Sequence, residues 1–133
     1  MTGKDKELRI AGLMLYRGEG TKYGNNVFDL ANSYPEMIKF FLQMLRRIYG
    51  ILEEKLRVLL YCYADQNVDE LKKFWVKVTD INEKQFIKPY IRQDYKESKK
   101  GKMSFGLIHV RYHDKKLYNL LRVDTENIVS SFS

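Results

Sequence analysis

The 133-residue sequence contains one cysteine, two prolines and eight glycines. A single cysteine excludes an internal disulfide and a cysteine metal cluster, and it is typical of a reducing compartment. The scarcity of proline and glycine excludes collagen-like and low-complexity disordered chains. No segment reaches the roughly 18 uncharged apolar residues that span a bilayer, and the first residues lack the apolar core of a signal peptide. We therefore expect one soluble domain, residues 1–133, in the cytoplasm, with no membrane partner.

Positive charge is in excess. Lysine and arginine number 24 against 17 acidic residues, which gives a formal net charge of +7. The densest segment, 84–102, carries seven of these cations against two acids, with Phe86, Tyr90 and Tyr95 between them. Such a surplus favours a polyanionic partner, nucleic acid first and an anionic membrane surface second. Charge alone leaves that choice open, because many basic proteins bind neither.

The N-terminal half predicts a helix, a short strand and a second helix. The first helix spans Leu8 to Arg17 and stops at two glycines that flank Glu19. The strand spans Val27 to Ala31 and is a candidate second arm of a hairpin. Ser33, with a glutamate three residues later, forms the pattern of a capping box, so the second helix should begin there and end at Gly50.

The C-terminal half alternates between the apolar spacing of strands and that of helices. Apolar residues recur at every second position in Leu56 to Tyr63 and in Leu107 to Tyr112, which predicts two strands with one core face each. Asn67 and Asp114 are placed to cap two further helices, with the basic segment between them as a loop. The residues from 124 to 133 are expected to form a flexible tail. We also expect the side chains of Trp75 and Cys62 to lie in the core.

These elements predict an α+β fold in which every helix covers the same face of a mixed sheet. The opposite face is left open and is basic and aromatic. Its expected members are Arg57, Tyr61, Tyr63, His109 and Arg111. A surface of that kind is suited to lie in a DNA groove or along a nucleic-acid backbone.

Glu19 is the most unusual acidic residue of the sequence. It follows the first helix at the end where the helix carbonyl groups carry partial negative charge, so its carboxylate is disfavoured there. A divalent cation would reverse the sign of that interaction, because carboxylate and carbonyl oxygens are both ligands for Mg²⁺. The alternative is that Glu19 faces solvent and pairs with Arg17 or Lys22.

The stretch Leu13-Met14-Leu15-Tyr16-Arg17-Gly18-Glu19-Gly20 resembles the motif of the LAGLIDADG homing endonucleases in its LGLYLGDG-like form. The segment from Asn32 to Ile38, and the closing strand and helix from His109 to Leu121, also resemble the corresponding parts of that family. The resemblance extends over about 8–121, and the region around Glu19 is its specific part.

The resemblance implies a LAGLIDADG-like fold and hydrolysis of phosphodiester bonds in duplex DNA with Mg²⁺ or Mn²⁺. It implies that Glu19 is catalytic and binds the metal, together with the backbone of Gly18. Members with one motif act as homodimers through the motif helix, which places Ala11, Gly12 and Leu15 at the interface. A basic residue should stabilise the transition state, with Lys88, Arg111 and Arg122 as candidates. The expected DNA-binding residues are Lys22, Arg57, Tyr61, Tyr63, Lys88, Arg92, His109 and Arg111.

Two other functions remain open. The first is a non-catalytic DNA-binding protein on the same fold, either a regulator or a degenerate endonuclease. The second is a basic protein-interaction domain without a nucleic-acid role. An intron-encoded endonuclease would also allow an organellar location.

Overall fold

The chain forms a four-stranded sheet that is covered on one face by helices. The computed structural model describes residues 1–19, 27–93 and 104–133, and of Glu19 the backbone alone. The helices are α1 (Gly3–Glu19), α2 (Pro35–Arg47), α3 (Val68–Thr79) and α4 (Lys115–Ser130). The strands are β1 (Val27–Asn32), β2 (Leu56–Tyr63), β3 (Tyr90–Arg92) and β4 (Leu107–His113). Two short 3₁₀ turns, Glu53–Lys55 and Glu83–Gln85, precede β2 and β3.

The sheet is mixed, with strand order β1-β4-β2-β3. β4 is antiparallel to both β1 and β2, whereas β3 runs parallel to β2. The register places Phe28, Tyr112 and Leu56 in one row across three strands, and Leu30, Val110 and Val58 in the next. Because successive side chains of a strand alternate between faces, all these buried residues lie on the same side of the sheet, here called the core face.

One hydrophobic core lies between that face and the helices. Leu13 of α1, Phe41 of α2, Trp75 of α3 and Leu121 of α4 all belong to the same buried cluster as the strand residues. The expectation of an α+β fold with its helices on one face of a mixed sheet is confirmed. Trp75 is fully buried and donates a hydrogen bond from Nε1 to the carbonyl oxygen of Phe105 at 2.6 Å. None of the described helices is long and apolar enough to cross a membrane.

The two expected caps of the C-terminal half are present. The side chain of Asn67 accepts a hydrogen bond from the backbone of Glu70, and that of Asp114 accepts one from the backbone of Leu117. Cys62 is buried as expected, and that burial raises the pKa of its thiol.

Four expectations about the elements are wrong. The first helix is longer than Leu8 to Arg17 at both ends. The second helix has Tyr34 instead of Ser33 at its N-cap position, and no side chain caps it. The nearby Asn32 accepts a hydrogen bond on Oδ1 from the backbone N–H of Tyr34 at 2.7 Å. The basic segment contains strand β3 instead of being a loop throughout.

The fourth concerns the C-terminal tail, since α4 continues to Ser130. The reason is that the expected tail makes contacts of its own. The Asp124 carboxylate accepts a hydrogen bond from the Tyr49 hydroxyl at 2.7 Å, Thr125 is buried, and Ile128 packs against the core. These contacts hold the last two turns of the helix against the rest of the fold.

Candidate nucleic-acid interface

The face of the sheet opposite the core, here called the outer face, carries the polar residues of the strands. Among the described residues, no helix packs on it, because all four helices share the core on the other side. Its central positions are Asp29 and Ala31 of β1, His109 and Arg111 of β4, and Arg57, Leu59 and Tyr61 of β2. The outer face therefore brings together two arginines, a histidine and a tyrosine that the sequence predicted for it.

A carboxylate that the sequence analysis missed organises the centre of this face. The Asp29 carboxylate contacts Nδ1 of His109 through Oδ1 at 2.8 Å and accepts a hydrogen bond through Oδ2 from Nε of Arg111 at 2.9 Å. The Asp29 side chain is only 14% exposed. Its two neighbours are about a quarter and a third exposed, so the three side chains form a half-buried ionic cluster.

The pKa of Asp29 reflects two opposing effects. Burial is the largest single one and raises the pKa of the carboxyl group, since it disfavours the charged form. The hydrogen bond and charge of His109, followed by those of Arg111, outweigh burial and hold the pKa of Asp29 below its usual value. Asp29 is therefore a carboxylate at neutral pH, and it faces two basic side chains.

The strand pattern contained part of this information. Asp29 alternates with the buried residues Phe28 and Leu30, which places it on the outer face. Its partners lie 80 and 82 residues further along the chain. The sequence gives no signal for that pairing, which depends on the register between β1 and β4.

Arg57 lies directly across from Arg111 in the register of β2 and β4. Its Nη1 donates to the carbonyl oxygens of Glu54 and Leu56, both at 2.7 Å, and the residue is exposed. Like charges at directly opposite positions of a sheet repel each other. The outer face thus holds two arginines at paired positions and one carboxylate, a local excess of positive charge.

The aromatic residues of the outer face lie toward the β3 edge. The rings of Tyr61 and Tyr90 are stacked, with centroids 4.3 Å apart and planes 18° from parallel, and Tyr90 is 51% exposed. Arg92 is half-buried beside them, opposite Tyr63. The expectation that Tyr63 is available to DNA is wrong, since it is only 6% exposed at the end of β2.

The three candidate catalytic cations do not lie together. Arg111 lies in β4 and is bound to Asp29. Lys88 is exposed and precedes β3, on the other side of β2. Arg122 lies on α4 in an ion pair with Glu126, away from the sheet face. The structure therefore brings Arg111 to Arg57 and His109, and leaves Lys88 and Arg122 apart from them.

Glu19 is the last residue of α1, as its expected role requires. Its side chain and the whole of Lys22 lie outside the described residues. Gly18 is exposed, and apart from the neighbouring backbone of α1 no heavy atom of the described residues lies within 4 Å of the position that a Cβ atom would occupy there. Across 1–18, 27–93 and 104–133, no group of three or more histidine, cysteine, aspartate or glutamate side chains is placed to hold a metal ion.

The three expected interface residues of α1 have different surroundings. Gly12 is buried against α2, since a Cβ atom added to it would lie 2.5 Å from Sδ of Met44 and 3.0 Å from its Cβ. Its assignment to a dimer interface is wrong, because a helix of the same chain already covers it. Ala11 is exposed and Leu15 is half-buried. Both line an apolar groove of about 310 Å³ between α1 and α2, together with Met37 and Phe40.

Comparison with protein-family models, with curated proteins and with solved structures finds no match for this chain.

Proposed function

We propose that this chain binds duplex DNA with the outer face of its sheet, and that it is a LAGLIDADG-type homing endonuclease acting as a homodimer with a divalent metal. The observation that carries the proposal is the division of the sheet into two faces. All four described helices pack on the core face, whereas the outer face presents Arg57 and Arg111 directly opposite each other. A chain with a net charge of +7 and such a face is suited to contact phosphate groups.

Each part of the outer face would make a different contact. Arg57 and Arg111 carry guanidinium groups, which match phosphate geometry better than ammonium groups do. The exposed ring of Tyr90, stacked on Tyr61, offers a flat apolar surface to a base or sugar. Lys88 and Arg92 flank that pair and would extend the contact along the backbone.

The cleavage step rests on the resemblance around Glu19 and on its position at the end of α1. Mg²⁺ takes one or two carboxylates and keeps several waters. One Glu19 carboxylate from each of two chains, with a carbonyl oxygen such as that of Gly18, fits this requirement. When bound, Mg²⁺ or Mn²⁺ would supply an activated water and stabilise the leaving oxygen. The Glu19 carboxylates would hold the metal ion, and the arginines of the outer face would hold the DNA backbone.

The homodimer would use the part of α1 that α2 leaves uncovered. Ala11 and Leu15 line the apolar groove beside Met37 and Phe40, and Ile10 is 41% exposed on the same helix. We expect sedimentation at micromolar concentration to show a dimer. Ala11→Glu should convert it to a monomer, whereas Asn119→Glu on the exposed side of α4 should not. A wild-type monomer would remove the second carboxylate, and with it the cleavage proposal.

The alternative of a non-catalytic DNA-binding protein is supported by the state of Arg111. Its Nε is engaged by Asp29, which offsets part of the charge that a developing phosphorane would need. In this alternative, the outer face binds DNA in the same way and Glu19 has no metal.

Binding is tested by measuring the affinity for duplex DNA against salt concentration for the wild type and for Arg57→Gln. Phosphate contacts predict affinity that falls steeply with salt, and one lost contact reduces the logarithmic slope by about one. Lys39→Gln is the matched control, because it removes the same charge from an exposed position of α2. Absence of salt-dependent binding by the wild type would contradict the proposal and favour a protein-interaction domain.

Cleavage is tested with Glu19→Gln, which removes the charge while it preserves the shape of the side chain. We expect loss of cleavage of a DNA target library with Mg²⁺ or Mn²⁺, at unchanged DNA affinity. A wild type that binds DNA but cuts no member of the library would favour the non-catalytic alternative.

A further inference from the structure

The cluster of Asp29, His109 and Arg111 places a negative charge at the centre of the proposed DNA-binding face. A carboxylate there repels phosphate groups, so charge alone makes Asp29 unfavourable for binding. Its short contacts to both basic side chains, at 2.8 and 2.9 Å, and its low exposure suggest a different role.

Both basic side chains keep nitrogen atoms that no other described residue binds. Arg111 binds Asp29 through Nε, which leaves its two terminal amino groups without a partner among the described residues. His109 uses Nδ1, and its Nε2 has no partner in the same residues. The same carboxylate holds the guanidinium group at one side and the imidazole at Nδ1, and so fixes the orientation of both. The terminal amino groups of Arg111 remain available as donors to a ligand, and Nε2 of His109 is a donor when the imidazole is protonated.

The net charge of the cluster favours an oxyanion. Arg111 and the opposite Arg57 contribute two positive charges against the one negative charge of Asp29. Protonation of His109 adds a third. The other ionisable side chains on the outer positions of β4 and β2 are His113, Tyr61 and Tyr63, and none of them is an aspartate or a glutamate. From α1, Tyr16 is close enough to Asp29 to interact with it electrostatically.

We infer that Asp29, His109 and Arg111 form a binding site for one backbone phosphate group, in which Asp29 is a positioning residue that fixes the donors of the other two. This inference rests on the proposed DNA-binding function and specifies one contact of that surface. The phosphate would accept hydrogen bonds from the terminal amino groups of Arg111 and from Nε2 of protonated His109. Charge-assisted bonds of this kind are the strong ones.

The inference predicts that the removal of a negative charge weakens binding to a polyanion. Asp29→Asn should lower the affinity for duplex DNA about threefold to tenfold, because Arg111 and His109 lose their fixed orientation. The matched control is Glu126→Gln on α4, which removes a carboxylate from an exposed helix position and should leave the affinity unchanged or slightly higher.

The effect of Asp29 should depend on Arg111 and His109. In a background that carries both Arg111→Gln and His109→Gln, Asp29→Asn should raise the affinity, because the carboxylate has lost both groups that it positions and only its repulsion remains. A structural role for Asp29 would lower the affinity in both backgrounds. If the wild type binds DNA and Asp29→Asn raises the affinity or leaves it unchanged, the inference is wrong while the proposed DNA binding stands. If the wild type does not bind DNA, the proposed function itself fails.

A measurement on the unaltered chain avoids any loss of folding in the variants. The sequence has two histidines, so their ring resonances can be assigned with a His113→Gln variant. Titration with inorganic phosphate, at ionic strength matched with chloride, should shift the His109 resonances saturably and leave those of His113 in place. If the resonances of neither ring shift, or those of both rings shift equally, the proposed phosphate site is contradicted.

Discussion

The two faces of the sheet differ in how tightly their residues are fixed. On the core face, Phe28, Leu56 and Tyr112 lie in one row and are almost wholly buried. On the outer face, the next row contains Asp29, Arg111 and Arg57, which are half-buried or exposed. An ion pair joins Asp29 to Arg111. The same strands therefore carry a row that holds the fold together and, one residue further, a row that is free to contact a partner.

The difference between the two faces indicates that the core face determines stability and the outer face determines binding. Substitutions on the core face should change the free energy of unfolding and leave the DNA affinity of the folded protein intact. Substitutions on the outer face should change the DNA affinity and have smaller effects on the free energy of unfolding. Each of the predictions below tests one side of this separation.

The largest effect is expected at Phe28. It is fully buried and packs against the rings of Tyr16, Phe41 and Tyr112. Phe28→Ala should lower the free energy of unfolding by about 3–5 kcal/mol through loss of burial and creation of a cavity. The measurement is urea unfolding followed by circular dichroism. Val27→Ala, one residue away and half-buried, is the control and should cost less than about 1.5 kcal/mol. Equal costs at both positions would contradict the division between the faces.

The contact between α1 and α2 should tolerate no added side chain at Gly12. Gly12→Ala places its Cβ against Met44, which is itself fully buried, so we expect a loss of about 1–3 kcal/mol from overpacking. Gly18→Ala on the same helix meets no atom of the other described residues within 4 Å, the neighbouring helix backbone aside, and should stabilise the protein by up to about 1 kcal/mol, because alanine is the better helix former. Thermal unfolding should show a lower melting temperature for Gly12→Ala and a higher one for Gly18→Ala. A higher melting temperature for Gly12→Ala would contradict the close packing of α1 on α2.

The ion pairs of Asp29 should make a smaller, pH-dependent contribution to the free energy of unfolding. Since the folded state holds the pKa of Asp29 below its usual value, the stabilisation is present above the unfolded pKa of about 3.9 and is lost as the pH falls through the folded value. Asp29→Asn should therefore cost about 1 kcal/mol at pH 7, and the difference should shrink below about pH 4. Unfolding curves of both proteins between pH 7 and pH 3 measure it. A difference that is constant over this range would show that the carboxylate charge has no part in it.

The smallest effect on stability is expected at Arg57. Its side chain is exposed and, within the part of the chain that the structure describes, bonded only to backbone carbonyl oxygens nearby in sequence, so Arg57→Gln should change the free energy of unfolding by less than about 0.5 kcal/mol. The same variant should weaken DNA binding clearly. A variant that unfolds more easily but binds equally well would reverse the roles assigned to the two faces.

The sequence predicts the core face well, because the alternation of apolar residues along each strand is a local pattern. β2 is found with the predicted limits, Leu56 to Tyr63, and the alternation of buried residues within it holds from Leu56 to Cys62. The caps at Asn67 and Asp114 were also predicted, since a cap depends on residues three positions apart.

The features that escaped prediction depend on contacts between distant residues. The pairing of β3 with β2 and the ion pairs of Asp29 join segments that no local pattern connects. The burial of Tyr63 and the helical end of the chain at Ser130 likewise follow from tertiary contacts. Of the proposed site, sequence predicted Arg57, Tyr61, His109 and Arg111 on one face, and missed the carboxylate that orders two of them.

The central claim is that DNA lies on the outer face, and mapping the backbone amide resonances during a titration with duplex DNA tests it most directly. The account predicts that the amides of β2 and β4 around Arg57, Tyr61, His109 and Arg111 shift, and that those of α2 and α3 do not. Shifts confined to the helices, with the strand amides unchanged, would contradict it.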